Sequence, residues 1–334
     1  MHRIITLGLH HDHVWSNLEE LAETGRAELV GAADTDAELL EKYRRQFPGE
    51  TVACYDELLS RDGLSAAYIF GSNRLSEDLT VKACERGLHC LVEKPMAATL
   101  AGASRMLAAA KANGVRLMIN WPFTWWPQLR HGIVMAHAGE LGQVWQVRYR
   151  AAHQGPVELG CSRQFCEWLY DAEANGAGAL MDYCCYGAVL ADVLLGRPES
   201  VTGLRLRTGL KPDLRLEDNA ILILKYAHAL ATTEASWTQI GHLTSYSATI
   251  YGSRGTVHIE PGHDGRILHA TTEQPDGVAL PVPPQPAHLR NASVHFLAAI
   301  ENPDMEIHPL CDAEHGYNAQ WILEQGIRSA PCQG

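Results

Sequence analysis

The sequence lacks any Cys-x-x-Cys pair, any apolar run of ~18 residues, and any excess of basic charge. Without Cys-x-x-Cys spacing, zinc-ribbon and dithiol redox patterns are excluded. The nine cysteines (54, 84, 90, 161, 166, 184, 185, 311, 332) are an odd set. Cys184 and Cys185 are adjacent, and such a pair rarely closes a disulfide without backbone strain. A reduced, cytoplasmic protein is expected. The missing apolar run argues against a membrane span, and Met1-His2-Arg3-Ile4-Ile5-Thr6-Leu7-Gly8 is too short an apolar stretch for a signal peptide. Lys and Arg number 27 against 39 Asp and Glu, a net charge of −12 with pI near 5.8. That balance argues against nucleic acid or an anionic membrane as partner. What is present fits a globular chain: 46% hydrophobic, 20% charged, 334 residues. At ~150 residues per domain, two domains are expected. One feature is unusual: 17 histidines, three of them in His10-His11-Asp12-His13.

The first third alternates short apolar runs with helical periodicity, the signature of a parallel sheet with crossover helices. Residues 3–9, 29–33, 66–70, 89–92 and 116–120 read as strands, and 36–47, 77–86 and 100–113 as helices. Gly87 and Gly114 sit where left-handed C-caps are wanted. The pattern changes at Trp121-Pro122-Phe123-Thr124-Trp125-Trp126-Pro127, which places the boundary between domains at 1–121 and 122–334. A helix over 128–138, a strand over 143–151 and a helix over 175–195 follow. Strand-like runs at 201–207, 220–226, 230–237, 245–251 and 256–260 then imply a large, open, mostly antiparallel sheet. Residues 281–286 form a stiff proline-rich linker, and helices over 289–301 and 312–328 close the chain. The fold class is α/β: a doubly wound Rossmann sheet followed by an α+β domain.

In an open α/β sheet, ligands bind beyond the carboxyl ends of the strands. Gly8 ends the first strand there, but the G-x-G-x-x-G fingerprint reads Gly8-Leu9-His10-His11-Asp12-His13, with histidine at the second and third glycines. Asp12 is a poor neighbour for a diphosphate unless it points away. The second strand ends at Asp34, close to the ~20-residue spacing of the ribose-binding acid. A carboxylate there accepts ribose hydroxyls and repels a 2′-phosphate. Thr35 and Asp36 offer no arginine for such a phosphate, so NAD is favoured over NADP.

Cys90-Leu91-Val92-Glu93-Lys94-Pro95 follows an apolar strand and precedes a long helix. Proline holds Lys94 extended, so the lysine projects from a strand end. With Gly8, Asp34, Gly87 through Pro95, Gly139-Glu140-Leu141-Gly142 and Gly176 through Asp182, the chain resembles the Gfo/Idh/MocA oxidoreductases, of glucose–fructose oxidoreductase and inositol dehydrogenase type. The resemblance runs from about residue 1 to 330. It implies a Rossmann domain, a second domain with an open antiparallel sheet, a bound nicotinamide dinucleotide and a homodimer or homotetramer.

It also implies site residues. Lys94 matches the family's active-site lysine. The family's Asp with a His four residues on becomes Asp182 and Tyr186, which share a helix face at that spacing. Tyrosine, with a free pKa of ~10, needs an ammonium such as Lys94 to bring phenolate into the working range. The cofactor would lie against Gly8, Leu9, His10, His11, Asp34 and Thr35, against Gly71-Ser72-Asn73 after the third of the strands predicted above, and against Glu93, Lys94 and Asn120. Trp121 would stack on a sugar ring, with Arg163 and Trp168 as further substrate contacts. A metal is not expected, because three histidines in one turn cannot all face one ion and no downstream Cys/His set has the right spacing. Three functions stay open: an NAD-dependent dehydrogenase of a sugar, cyclitol or glycoside; a glycosidase using transient oxidation; and a nicotinamide-sensing regulatory protein.

Overall fold

The computed structural model describes residues 1–330, so Cys332 lies outside the described part; the other eight cysteines are thiols, in no disulfide. In chain order the first elements are β1 (His2–Leu7), α1 (His13–Glu23), β2 (Ala27–Ala33), α2 (Ala37–Gln46), β3 (Glu50–Val52), α3 (Tyr55–Leu59), β4 (Ala66–Ile69), α4 (Asn73–Glu85), β5 (His89–Glu93), α5 (Leu100–Asn113) and β6 (Leu117–Asn120). There follow α6 (Pro127–His137), β7 (Val144–Ala152), α7 (Arg163–Leu169), α8 (Ala172–Asn175), α9 (Cys185–Leu195), β8 (Ser200–Leu206), β9 (Asn219–Lys225), β10 (Leu230–Ser236), β11 (Ser247–Gly252), β12 (Thr256–Ile259), β13 (Ile267–Ala270), β14 (Val278–Leu280), α10 (Ala292–Glu301) and α11 (Ala313–Ser329). Contacts group the chain into two compact units. One holds Met1–Asn120, Cys161–Gly176 and Ala287–Tyr317; the other holds Trp121–Gly160, Ala177–Pro286 and the rest.

In the first unit six parallel strands run in the order β3-β2-β1-β4-β5-β6. This is the doubly wound order, with its reversal between β1 and β4. Strands β1, β4, β5 and β6 are apolar and largely buried because helices cover both faces. The five strands expected here all form. The short β3 and α3 were not foreseen. Nor was α1, although Val14, Leu18 and Leu21 bury one face at helical spacing. Helix α10 packs on α1, where Ser293 Oγ accepts from Tyr68 Oη at 3.1 Å and donates to the Asn17 carbonyl at 3.2 Å.

Helix α5 has an unusual start. Thr99 caps it by accepting from Gly102 N at 2.9 Å, yet the position that a capping box fills with Glu is Gly102. Glu77 of α4, fully buried, supplies the carboxylate instead: its Oε1 accepts from both Thr99 N and Thr99 Oγ1 at 2.9 Å. A Cβ on Gly102 would lie 1.9 Å from Glu77 Cδ. Gly102→Ala, normally a gain of ~1 kcal/mol in a helix, is therefore expected to destabilise. Glu77→Ala should cost about 1–3 kcal/mol through the orphaned Thr99 donors. Urea midpoints of the two variants check both signs.

In the second unit eight strands run in the order β14-β13-β12-β11-β7-β10-β9-β8. Neighbours are antiparallel except β7 and β10, which pair in parallel. This is the mostly antiparallel sheet expected from the short links, with one parallel pair. The exception arises because the long stretch separating these two strands in sequence returns β10 alongside β7 in the same direction, which no hairpin can do. Strands β13 and β14 and helix α7 were also not anticipated. The helix expected over 175–195 is interrupted. Gly176, at φ 99°, ends α8, and Leu180–Cys184 form a π-helical turn before α9. The run Ala172–Leu195 is apolar and long enough to cross a membrane, but 89% of its apolar window is buried inside the chain.

Candidate active site

The first unit gathers its chemistry at the carboxyl ends of β1, β2, β4, β5 and β6. Gly8 has φ 81°, and a Cβ there would lie 2.6 Å from Gly71 N. Two strand ends thus meet glycine to glycine, leaving a shallow cradle that fits the close approach of a dinucleotide backbone. Ser72 caps α4 by accepting from Leu75 N at 3.2 Å, and Asn73 is buried with Nδ2 donating to Asn175 Oδ1 at 2.9 Å. Thr35 is exposed.

Asp34 is 0% exposed and its oxygens already have partners. Leu9 N donates to Oδ2 at 2.6 Å and Asp36 N to Oδ1 at 2.8 Å. His10 Nδ1 lies 3.1 Å from Oδ2, close enough for ionic contact but off the hydrogen-bond direction. Burial pulls the His10 pKa down, yet the carboxylates of Asp34 first, then Asp36 and Glu167, together outweigh it and the net shift is upward. The His10–Asp34 contact is therefore strongest at low pH and is lost as pH rises through the raised pKa.

The remaining loop residues diverge. The His11 ring is buried against Phe165 and Trp168, at centroid distances of 4.8 and 5.8 Å. Burial first, then the charges of His13 and Lys94, hold its pKa well below the usual imidazole range. Asp12 turns away, its Oδ2 accepting from Ser162 N at 2.8 Å. Trp168 Nε1 donates to the His10 carbonyl at 3.3 Å, so α7 lies across this loop. Arg163 is 60% exposed and pairs with Glu38 and Glu167.

His13 Nδ1 meets Glu93 Oε1 at 2.9 Å, and Asn120 Nδ2 donates to Glu93 Oε2 at 2.8 Å. Lys94 follows β5 and is buried. The expected absence of any metal-capable cluster needs amending. One donor atom each from His11, His13 and Glu93 lie within 4.8 Å of one another. The cluster joins two of the histidines to a carboxylate from β5, which spacing within the loop could not reveal.

In the second unit, Glu217 organises the glycine stretch. Its Oε1 accepts from Gly178 N at 2.7 Å and Leu180 N at 3.3 Å, and a Cβ on Gly178 would strike the Glu217 carbonyl at 2.2 Å. Burial raises the Glu217 pKa against those hydrogen bonds and Arg205. Asp182 sits in the π-helical turn, its Oδ2 accepting from Trp237 Nε1 at 3.1 Å. Tyr186 is stacked on Tyr149 at 5.9 Å and meets Trp121 and Phe123 edge-on at 5.6 and 5.0 Å. Trp121 is fully buried rather than presented as an open stacking face. Trp121 Nε1 and Tyr149 Oη are buried without a hydrogen-bond partner among the described residues. Trp237, Tyr149, His13 and Glu77 were not anticipated; only His13 carried a signal, as part of the histidine cluster.

A glycine cradle, a buried acid ending β2 and a lysine after β5, on a sheet of this order, define a dinucleotide-binding Rossmann oxidoreductase. Family models agree: the NAD-binding Rossmann oxidoreductase model matches residues 7–121, and the C-terminal domain model of the same family matches 134–258. The chain belongs to the Gfo/Idh/MocA oxidoreductase family. It is similar to the dTDP-3,4-didehydro-2,6-dideoxy-alpha-D-glucose 3-reductase of Actinomadura kijaniata, 30% identical over 58% of this chain and only 56% of that enzyme's length. It is also similar to the NADP(+) scyllo-inositol 2-dehydrogenase of Bacillus subtilis, 29% identical over 75% of this chain and 73% of that enzyme. Among solved structures, aldose-aldose oxidoreductase from Caulobacter crescentus superposes with a TM-score of 0.82 at 22% identity, covering 98% of this chain and 97% of that one.

Proposed function

We propose that the protein is an NAD-dependent oxidoreductase moving a hydride at a secondary alcohol or ketone of a sugar, cyclitol or glycoside. The observation that carries this reading is Lys94, buried at the carboxyl ends of the same parallel strands as Gly8, Gly71 and Asp34. Gly8, Leu9, His10, His11, Gly71, Ser72, Asn73 and Asn120 are assigned to the cofactor's surroundings. When bound, a nicotinamide dinucleotide supplies the hydride acceptor or donor. Lys94 holds the reacting oxygen, and its charge favours the oxyanion form. Tyr186 exchanges the hydroxyl proton, and Asp182, kept in place by Trp237, orients a substrate hydroxyl. The buried donors Trp121 Nε1 and Tyr149 Oη, each costly when unpaired, favour a hydroxyl-rich ligand over an apolar one.

NAD over NADP is part of the proposal. A 2′-phosphate would bring its charge against a fully buried Asp34 carboxylate. Asp34→Ser should narrow the preference by about tenfold, the worth of one charge-assisted hydrogen bond; an unchanged ratio of kcat/KM for the two cofactors would refute that role. The chain is further proposed to be cytoplasmic, its described cysteines being thiols in no disulfide, and to assemble with its own copies. The exposed apolar side chains Leu204, Leu206, Ile221, Ile223 and Leu230 on β8, β9 and β10 offer a face for that assembly. Incubation with panels of sugars, cyclitols and glycosides tests the reading. Net NADH formation supports it, whereas sugar release without NADH accumulation would replace it with redox-assisted hydrolysis.

A further inference from the structure

We propose that Tyr246 is a positioning residue for the proton-exchanging Tyr186, acting through the hydroxyl of Tyr183. The proposal rests on the role given to Tyr186 above and extends it to the loop before β11. It starts from the backbone. Thr244 and Tyr246, with φ 56° and 53°, are the only non-glycine residues in the left-handed region among the described residues. A bulky side chain is strained there, and such strain persists only where surrounding contacts over-determine it. Those contacts are present. Ser245 Oγ donates to the Ala152 carbonyl and accepts from Ala152 N at 3.3 Å, which ties the loop to the last residue of β7. Gln239 Oε1 accepts from Arg150 of the same strand at 2.7 Å, and its Nε2 donates to the Leu243 carbonyl at 2.9 Å. The loop between β10 and β11 is thus fixed to one end of β7, and so is the direction in which Tyr246 leaves the backbone.

What the strained residue reaches is Tyr183. The two hydroxyls lie 2.8 Å apart, and the rings meet edge-on at 5.6 Å. Tyr183 follows Asp182 in the π-helical turn, a rare conformation that gathers at functional sites. Its neighbours in the turn are also tied down. Trp237 Nε1 donates to Asp182 Oδ2, and Thr233 Oγ1 donates to the Cys184 carbonyl at 3.0 Å. Strand β10 and the residue after it therefore hold Asp182 and Cys184, while the loop holds Tyr183 between them. The Tyr183 ring lies 6.1 Å from the Tyr186 ring and meets His153 edge-on at 5.0 Å. Burial, and after it the Asp182 charge, keep the Tyr183 phenol well above its usual range. Tyr183 therefore keeps its proton and serves as a fixed wall beside Tyr186 instead of a rival base. Packing alone would be served by phenylalanine at 183 and 246, without a strained backbone. The bond between hydroxyls adds a direction that ring packing lacks.

Steady-state kinetics and thermal melts of Tyr246→Phe, Tyr183→Phe and the double variant test this, with NAD and the sugar, cyclitol or glycoside that the wild type turns over. Each single variant should lose on the order of 10-fold in kcat, as small misplacements of reacting groups do, with KM and melting temperature close to wild type. The double variant should lose no more than either single one, because the two hydroxyls act as one unit. Wild-type kcat in Tyr246→Phe, with or without a lower melting temperature, would overturn the proposal and leave a structural pair. Additive losses would overturn it too, since Tyr246 would then not act through Tyr183. The reading beneath it fails differently. Wild-type kcat in Tyr186→Phe would remove the group being positioned, and no turnover of any substrate by the wild type would overturn both.

Discussion

Lys94→Ala should bind NAD as the wild type does and lose turnover by on the order of 10²–10⁴-fold, the span typical of one positioned acid–base or oxyanion group. The residue is buried, so its ammonium acts in a medium that screens it little. Its field is already felt within the first unit, since it helps hold His11 neutral. Removing it should therefore raise the His11 pKa, a shift readable by NMR without any substrate. Lys94→Arg should recover little activity, because a planar fork on a longer stem does not reproduce a compact point charge. Unchanged turnover in Lys94→Ala, with the His11 shift present, would show that the lysine shapes the loop and leaves the chemistry to other groups.

Tyr186→Phe should lower kcat by a comparable on the order of 10²–10⁴-fold and leave both the melting temperature and KM nearly unmoved. The ring contacts with Tyr149, Trp121 and Phe123 survive the change, so the packing argument predicts no unfolding. Only the phenolic oxygen is lost. If the variant instead melts early and keeps its kcat, the tyrosine is a packing residue and the proton passes elsewhere.

Much of this was legible in the residues themselves. Apolar runs with glycine stops located all five longer strands of the first sheet, and α5 was placed at its observed ends because Thr99 and Gly114 punctuate it. Periodicity could not reveal β3, which is only three residues long and half-buried. It also could not reveal the π-helical turn, because the glycines that permit it respond to Glu217, far away in sequence. The site divides in the same way. Gly8, Asp34 and Lys94 announce themselves by position at strand ends. The pairing of His13 with Glu93, and the turn of Asp12 toward Ser162, depend on groups brought together only by folding. That is why the histidine cluster looked like one feature in the sequence and proves to be three separately anchored side chains.

The interleaved make-up of the first unit bears on how the protein is born. Its sheet is complete by Asn120, but α7 arrives from residues 161–176 and the helix packed on α1 from 287–317. A ribosome must therefore translate past Phe296 before Tyr68, Asn17 and Phe296 can close one core. Until then a parallel sheet of high contact order waits with apolar helix faces uncovered, the situation in which nascent chains call on chaperones. Cofactor capture would on this account follow the arrival of residues 287–317.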